Sequence, residues 1–154
     1  MPIRLGNFVE GVWRPSCATE SLKVLNPASA QVLAEVPLSP PEEVDAAAAA
    51  AQKAFSDWRR RPAGERIQPL FRLKALLEDN LEDLARSVTD ECGKTYAESL
   101  GELRRAVENV EVACGIPSLM QGYNNEDIAP GIDEQMMRQP WGWWRPSPRS
   151  TFLP

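Results

Sequence analysis

The sequence predicts short N-terminal β-hairpins followed by about four α-helices. Three observations carry this reading. Large apolar residues alternate with period two as far as Val36, then recur at spacings of three and four from Val44 onward. The change falls at Ser39-Pro40-Pro41-Glu42, a serine with glutamate three residues later and proline in the first turn, which is the pattern of a helix start. Turn-forming steps, Glu10-Gly11 and Asn26-Pro27, separate the alternating runs.

In chain order, NFVEGVWR (Asn7 to Arg14) reads as a hairpin turning at Glu10-Gly11. Leu22 to Leu25 and Gln31 to Val36 flank Asn26-Pro27-Ala28-Ser29 and read as a second hairpin. Ser39 and Glu42 are expected to cap a helix that runs to about Trp58, its alanine run at Ala46 to Ala50 allowing close packing beside Val44, Phe55 and Trp58. Pro62 is expected to open a second helix striped by Ile67, Leu70, Phe71, Leu73 and Leu77. Asn80 caps a third, with Leu81, Leu84 and Val88 on one face and Gly93 as its stop. Thr95-Tyr96-Ala97-Glu98 is another capping box. It opens a fourth helix with Leu100, Leu103, Val107, Val110 and Cys114 at helical spacing, ending near Pro117. Beyond it, QGYNNEDIAPG reads as a polar connector and GIDEQMMRQP as the approach to a further strand.

Composition narrows the function. A length of 154 residues with 43% hydrophobic and 25% charged residues suits one soluble domain with a core. The formal charge of −5 carries no footprint for nucleic acid, and no apolar run reaches membrane-spanning length. The start, MPIRLGNFVEG, lacks the apolar stretch of a secretory leader. Cys17, Cys92 and Cys114 are odd in number and widely spaced, so they form neither a disulfide framework nor a metal pair, and a cytoplasmic setting follows. Histidine is absent, which removes the commonest general base and metal ligand.

Few residues remain as candidates for chemistry. Cys92-Gly93-Lys94-Thr95 resembles the end of a phosphate-binding loop, but the pattern needs glycine five residues before Gly93, where Val88 stands, and a preceding strand rather than a helix. Gly93 as one helix's stop and Thr95 as the next one's start account for the stretch. Cys92 precedes a helix N-terminus, the setting of an activated thiolate, yet it has no partner base; Cys114 belongs to an apolar stripe. Glu102, Arg104, Arg105, Glu108 and Glu111 read as a solvated helix face. The expectation is therefore no catalytic, no cofactor-binding and no metal-ligating residue in this chain.

The order of the pieces is more specific than any piece. NFVEGVW, NPASAQVLAEVP, EEVDAAAAAAQKAFSDW, ECGKT and GELRRAVENVEVACGIPSLMQG together resemble the N-terminal part of an aldehyde dehydrogenase. ACGIPSLMQG followed by GID and RQP is most similar to the CoA-acylating methylmalonate-semialdehyde dehydrogenases, and the resemblance covers residues 7–140. It implies an α/β fold with an NAD-binding domain, a catalytic domain and a β flap through which such enzymes form homo-oligomers. It also implies oxidation of malonate or methylmalonate semialdehyde through a cysteine thioester, loss of carbon dioxide, and transfer of the acyl group to CoA, in valine or myo-inositol breakdown.

The family's nucleophilic cysteine and glycine-rich NAD segment lie further along its chain, and neither Cys92 nor Cys114 matches the nucleophile. Residues 1–140 then correspond to the first part of the NAD-binding domain: hairpins over 7–37, helices over about 40–118 and a connector over 119–140, with the central sheet missing. The resemblance implies NAD and CoA for the full-length enzyme, none for this segment, and no activity by itself. The alternative is a helical interaction module that docks on a full-length subunit, a free copy being prone to aggregate.

The last fourteen residues, WGWWRPSPRSTFLP, break the resemblance. They hold three of the five tryptophans (Trp141, Trp143 and Trp144) and no acidic residue. The family continues there as LGVVAxITPFNFP, a strand whose asparagine helps to stabilise the oxyanion; Thr151 stands in that place. One coding sequence for LGVVAAITPFNFPA, beginning CTG GGG GTG GTG GCG GCC, reads WGWWRPSPRSTFLP throughout once its first base is removed. A single-base loss after the Pro140 codon is thus the expected origin of residues 141–154. The opposing reading is a Trp-Pro-Arg peptide that anchors a partner.

Overall fold

Residues 3–142 are described by a computed structural model. Its first hairpin follows from one turn. Glu10 and Gly11 take φ of 55° and 79°, the paired positive values of the tight turn whose twist matches flanking strands. This joins β2 (Asn7–Val9) to β3 (Val12–Arg14) antiparallel, with Phe8 opposite Trp13. Their rings lie 5.2 Å apart at 55°, a tilted cross-strand pair.

The second hairpin pairs β4 (Ser21–Leu25) with β5 (Val32–Pro37), again antiparallel. Between them the Asn26 side-chain carbonyl accepts the Ala28 and Ser29 amides at 2.9 and 3.2 Å, so the asparagine folds the turn that Pro27 cannot close with an N–H. A strand missed in the sequence, β1 (Ile3–Arg4), adds to β5 in parallel and completes a three-stranded sheet in the order β1-β5-β4.

The first helix, α1 (Pro41–Trp58), ends where expected but does not start as expected. The Ser39/Glu42 box is not formed: Pro40 is the N-cap and no side chain caps the helix. The reason is steric. A residue before proline is pushed out of the helical region, and Pro40, preceding Pro41, sits at φ −69° and ψ 161°. Ser39 therefore lies one residue too early.

The predicted second helix divides into α2 (Ala63–Arg66) and α3 (Gln68–Asp79). Pro69 lies in the first turn of α3, where the missing N–H and the ring's clash with the preceding turn interrupt a continuous helix. α4 (Leu81–Cys92) begins after Asn80, but the Asn80 side chain does not cap it. Its Nδ2 donates to the Leu76 carbonyl at 2.8 Å and so closes α3 instead. Only one residue separates the two helices, and the amide serves the earlier one.

Gly93 stops α4 as expected, in the left-handed region at φ 71°. A Cβ there would also lie 2.8 Å from Pro27 Cγ, because the Asn26-Pro27 turn packs on this helix end. The Thr95/Glu98 capping box is present in full and starts α5 (Tyr96–Cys114). A single-turn α6 (Ile116–Leu119) follows, with Pro117 in its first turn rather than marking a clean end. The polar connector is in fact largely a hairpin: β6 (Tyr123–Ala129) and β7 (Ile132–Met136) pair antiparallel around Pro130-Gly131, with Gly131 at φ 76°. Nearly all its residues are exposed on both faces, so no apolar alternation marks it in the sequence.

α3, α4 and α5 pack on one another. The packing is thin: among the described residues only Pro37, Ala85, Ser99 and Val107 are buried. Ser99, at 0% exposure, pairs its hydroxyl with that of Thr89 at 3.0 Å and so joins α4 to α5. The chain exposes 12336 Å², against roughly 7,800 Å² for a monomeric protein of this mass. The sheets are small, and no central parallel sheet lies among the described residues.

Candidate functional site

Among the described residues, two polar clusters and three thiols are the candidates for chemistry. The first cluster centres on Glu43, in the first turn of α1. Its carboxylate accepts the Cys17 amide at 2.7 Å, the Ser16 hydroxyl at 2.7 Å and Asn7 Nδ2 at 2.9 Å. Ser39 Oγ accepts a second Asn7 proton at 2.8 Å and donates to Ser16 Oγ at 3.2 Å. One carboxylate thus ties the first hairpin and the loop after it to the start of α1. The sequence reading assigned the helix start to Glu42 and passed over its neighbour. The signal was there, since only a helix beginning at Pro41 gives Glu43 this place.

Those donors, the Cys17 amide first, hold the Glu43 carboxyl down at about 2. The thiol's own hydrogen bond with the Glu43 carboxylate pushes the Cys17 thiol up. An anion beside a thiol opposes the thiolate, so the cluster is a clamp and not a nucleophile with its base. The clamp should be acid-labile. A carboxyl lowered from 4.5 to about 2 stabilises the fold above pH 4.5, and that contribution is lost as pH falls from there through 2. Exchange of the Cys17 amide proton, measured relative to the intrinsic rate at the same pH, should accelerate across that window in the native chain. In Glu43→Gln it should already be fast at neutral pH; equal protection of the two forms would show that the clamp holds nothing.

The second cluster sits at the α4–α5 junction. Lys94 Nζ lies 2.6 Å from Glu102 Oε2, and this bond pushes the Lys94 ammonium up and keeps it charged. A lysine acting as base or nucleophile needs the opposite shift. Lys94, Gly101, Glu102 and Arg105 line a surface depression of about 380 Å³, carrying charge of both signs and no nucleophile. Of the supposed solvated face of α5, Glu102 and Glu111 are drawn into pairs with Lys94 and with Lys74, the latter at 3.1 Å.

The junction does not fit a nucleotide pyrophosphate, which binds free amides at a helix N-terminus that follows a strand. Here Glu98 already accepts the Thr95 amide at 3.0 Å, Thr95 Oγ1 accepts the Glu98 amide, and the preceding element is α4. The β5-to-α1 junction fits no better, because Pro40 and Pro41 have no N–H to offer. Cys92 and Cys17 are exposed, and Cys114 is half-buried rather than fully in the core. Among the described residues no group of acidic or cysteine side chains is placed to hold a metal ion. None of the helices there is long and apolar enough to cross a membrane. Thr151 and the expected out-of-frame stretch from residue 143 lie outside the described residues.

Comparison with known proteins places these elements. The sequence model of the aldehyde dehydrogenase family matches residues 13–145. The chain belongs to the aldehyde dehydrogenase family. Among aldehyde dehydrogenases, malonate-semialdehyde dehydrogenase 2 of Geobacillus thermodenitrificans is 49% identical over 138 residues, covering 90% of this chain and 29% of its own length. The malonate-semialdehyde dehydrogenase of Halalkalibacterium halodurans is 44% identical over 139 residues, with 90% and 29% covered. The crystal structure of a methylmalonate-semialdehyde dehydrogenase from Oceanimonas doudoroffii superposes with a TM-score of 0.84 at 36% identity, over 91% of this chain and 28% of that one. The resemblance read from NFVEGVW to RQP is therefore correct for the family and for the relatives it pointed to, and this chain spans less than a third of their length.

Proposed function

We propose that this chain is the leading segment of a CoA-acylating malonate- or methylmalonate-semialdehyde dehydrogenase, and that it is inactive by itself. The observation that carries the reading is 49% identity to a malonate-semialdehyde dehydrogenase over residues that make up only 29% of that enzyme. The thin core supports it, because helices striped with apolar residues lie open to solvent where a larger body would cover them. The full-length protein would use NAD and CoA, oxidise the semialdehyde through a thioester on a cysteine beyond this segment, and act in valine or myo-inositol breakdown as a homo-oligomer. Residues 141–154 are translated from a shifted frame.

The test is turnover by the repaired enzyme. Restoring one base after the Pro140 codon and translating onward should give a protein that reduces NAD with malonate or methylmalonate semialdehyde and CoA. A soluble repaired product inert on both semialdehydes but active on simple aldehydes would move the assignment to another branch of the family. An intact reading frame in the re-sequenced gene would refute the shift itself.

The exposed stripes also support a second reading, a module that docks on a full-length aldehyde dehydrogenase subunit. Co-purification with such a subunit favours docking; self-aggregation of the isolated chain favours the plain segment.

A further inference from the structure

Where α1 ends and α3 begins, the chain turns basic. Arg59, Arg60 and Arg61 follow α1 directly, and Arg66 closes α2, in a protein whose formal charge is −5. Of these, Arg66 lines a cavity of about 280 Å³ with Trp58, Ile67, Leu70, Ile116 and Met120, and Arg59 to Arg61 follow Trp58 directly in the chain. Trp58 and Ile116 remain 44% and 37% exposed at its mouth.

Arg66 is the unusual member. Its Nη2 donates to the Met120 thioether at 3.6 Å, a weak acceptor. Its Nε is buried with no hydrogen-bond partner. A guanidinium presents five donors in a planar fork suited to a carboxylate, and a buried donor left unmet is costly. Around it, Arg61 reaches Glu65 only at 3.8 Å between exposed side chains, and Arg59 lies 5.5 Å over the Phe55 ring. Arg60 is exposed and has no ion pair among the described residues.

We propose that this socket docks an acidic amphipathic peptide. One apolar side chain enters the cavity, a carboxylate beside it meets the Arg66 guanidinium, and further carboxylates run along Arg59 to Arg61. Charge complementarity selects this occupant. The chain's own terminal stretch carries Arg145 and Arg149 and no acid, so it meets the patch with like charge. The cavity is smaller than the usual small-molecule range of about 300–1,000 Å³ and suits a single side chain. A nucleic acid would meet the four arginines but leave the apolar wall unused. The proposal concerns no reacting group, and it applies to the 154-residue chain, whose apolar surfaces lie open where the rest of a full-length enzyme would cover them.

The probe is a fluorescein-labelled peptide, Glu-Glu-Leu-Phe-Glu-Glu-Leu, titrated with the 154-residue chain by anisotropy. The control is its Lys-Lys-Leu-Phe-Lys-Lys-Leu counterpart. The acidic peptide should bind and the basic one should not, with affinity falling as salt is raised. Arg66→Met, which removes the fork and keeps a side chain of similar length, should weaken binding about tenfold. Arg60→Gln, at an exposed position, should weaken it about threefold. If Arg66→Met loses its helical circular dichroism, Arg60→Gln and the salt series decide. No binding of the acidic peptide, equal binding of the basic one, an unchanged affinity in Arg60→Gln, or equal competition by a single-stranded oligonucleotide of the same charge overturns the proposal.

Discussion

No NADH is expected from the purified 154-residue chain supplied with NAD, CoA and either malonate or methylmalonate semialdehyde, at any pH. Thioester-forming oxidation needs a thiolate beside its activating group, donors for the developing oxyanion and a bound nicotinamide. Cys17 has the Glu43 carboxylate beside it, which raises its pKa and suppresses the thiolate. Cys92 and Cys114 have no histidine to turn to, because the chain contains none. Loss of a catalytic nucleophile alone costs on the order of a millionfold in well-studied hydrolases. The α4–α5 junction, closed by its own capping box, offers no free Thr95 or Glu98 amide to a dinucleotide either. Calorimetry should accordingly find no micromolar NAD binding. NADH formation above the enzyme-free background, abolished by replacing any one cysteine, would show that a working site had been overlooked.

The second large effect is on folding. Heating should give a broad, weakly cooperative loss of helical circular dichroism, with strong dye binding before the midpoint. α3 and α5 cover each other only in part: Leu76 and Val112 remain 59% and 67% exposed, and Leu119 of α6 is 63% exposed. Fully burying a side chain of this kind is worth about 1.5–3 kcal/mol, against a typical net stability of about 5–15 kcal/mol. More than twenty large apolar residues stand open in this way, so the shortfall is of the same order as the whole stability of an ordinary domain. Secondary structure would outlast fixed packing, as in a molten globule. A sharp transition in a monomer, with calorimetric and van't Hoff enthalpies equal, would mean that the body is self-sufficient despite its open stripes.

Local rules were legible wherever the physics was local. Glu10-Gly11 needed only its backbone preferences to turn, Gly93 only its tolerance of positive φ, and Thr95 with Glu98 only a spacing of three. Two errors were of the same local kind. The Pro40-Pro41 step displaces the start of α1, and Pro69 splits the predicted second helix; both follow from a proline ring already visible in the sequence. The β6–β7 hairpin was hidden for a different reason. A strand with both faces wet carries no alternation, and only Pro130-Gly131 hinted at the turn.

What the sequence determined by itself, then, is the first two hairpins, the long helices and the family that their order resembles, because caps, turns and apolar periods act over three or four residues. Tertiary structure alone decided which side chains meet. Glu43 meets Asn7 from 36 residues away and Cys17 from 26, Pro27 rests on Gly93, and Arg66 comes to face Met120 with its Nε unmatched. Such pairings depend on how the helices and hairpins are brought together in space, and no periodicity along the chain records that.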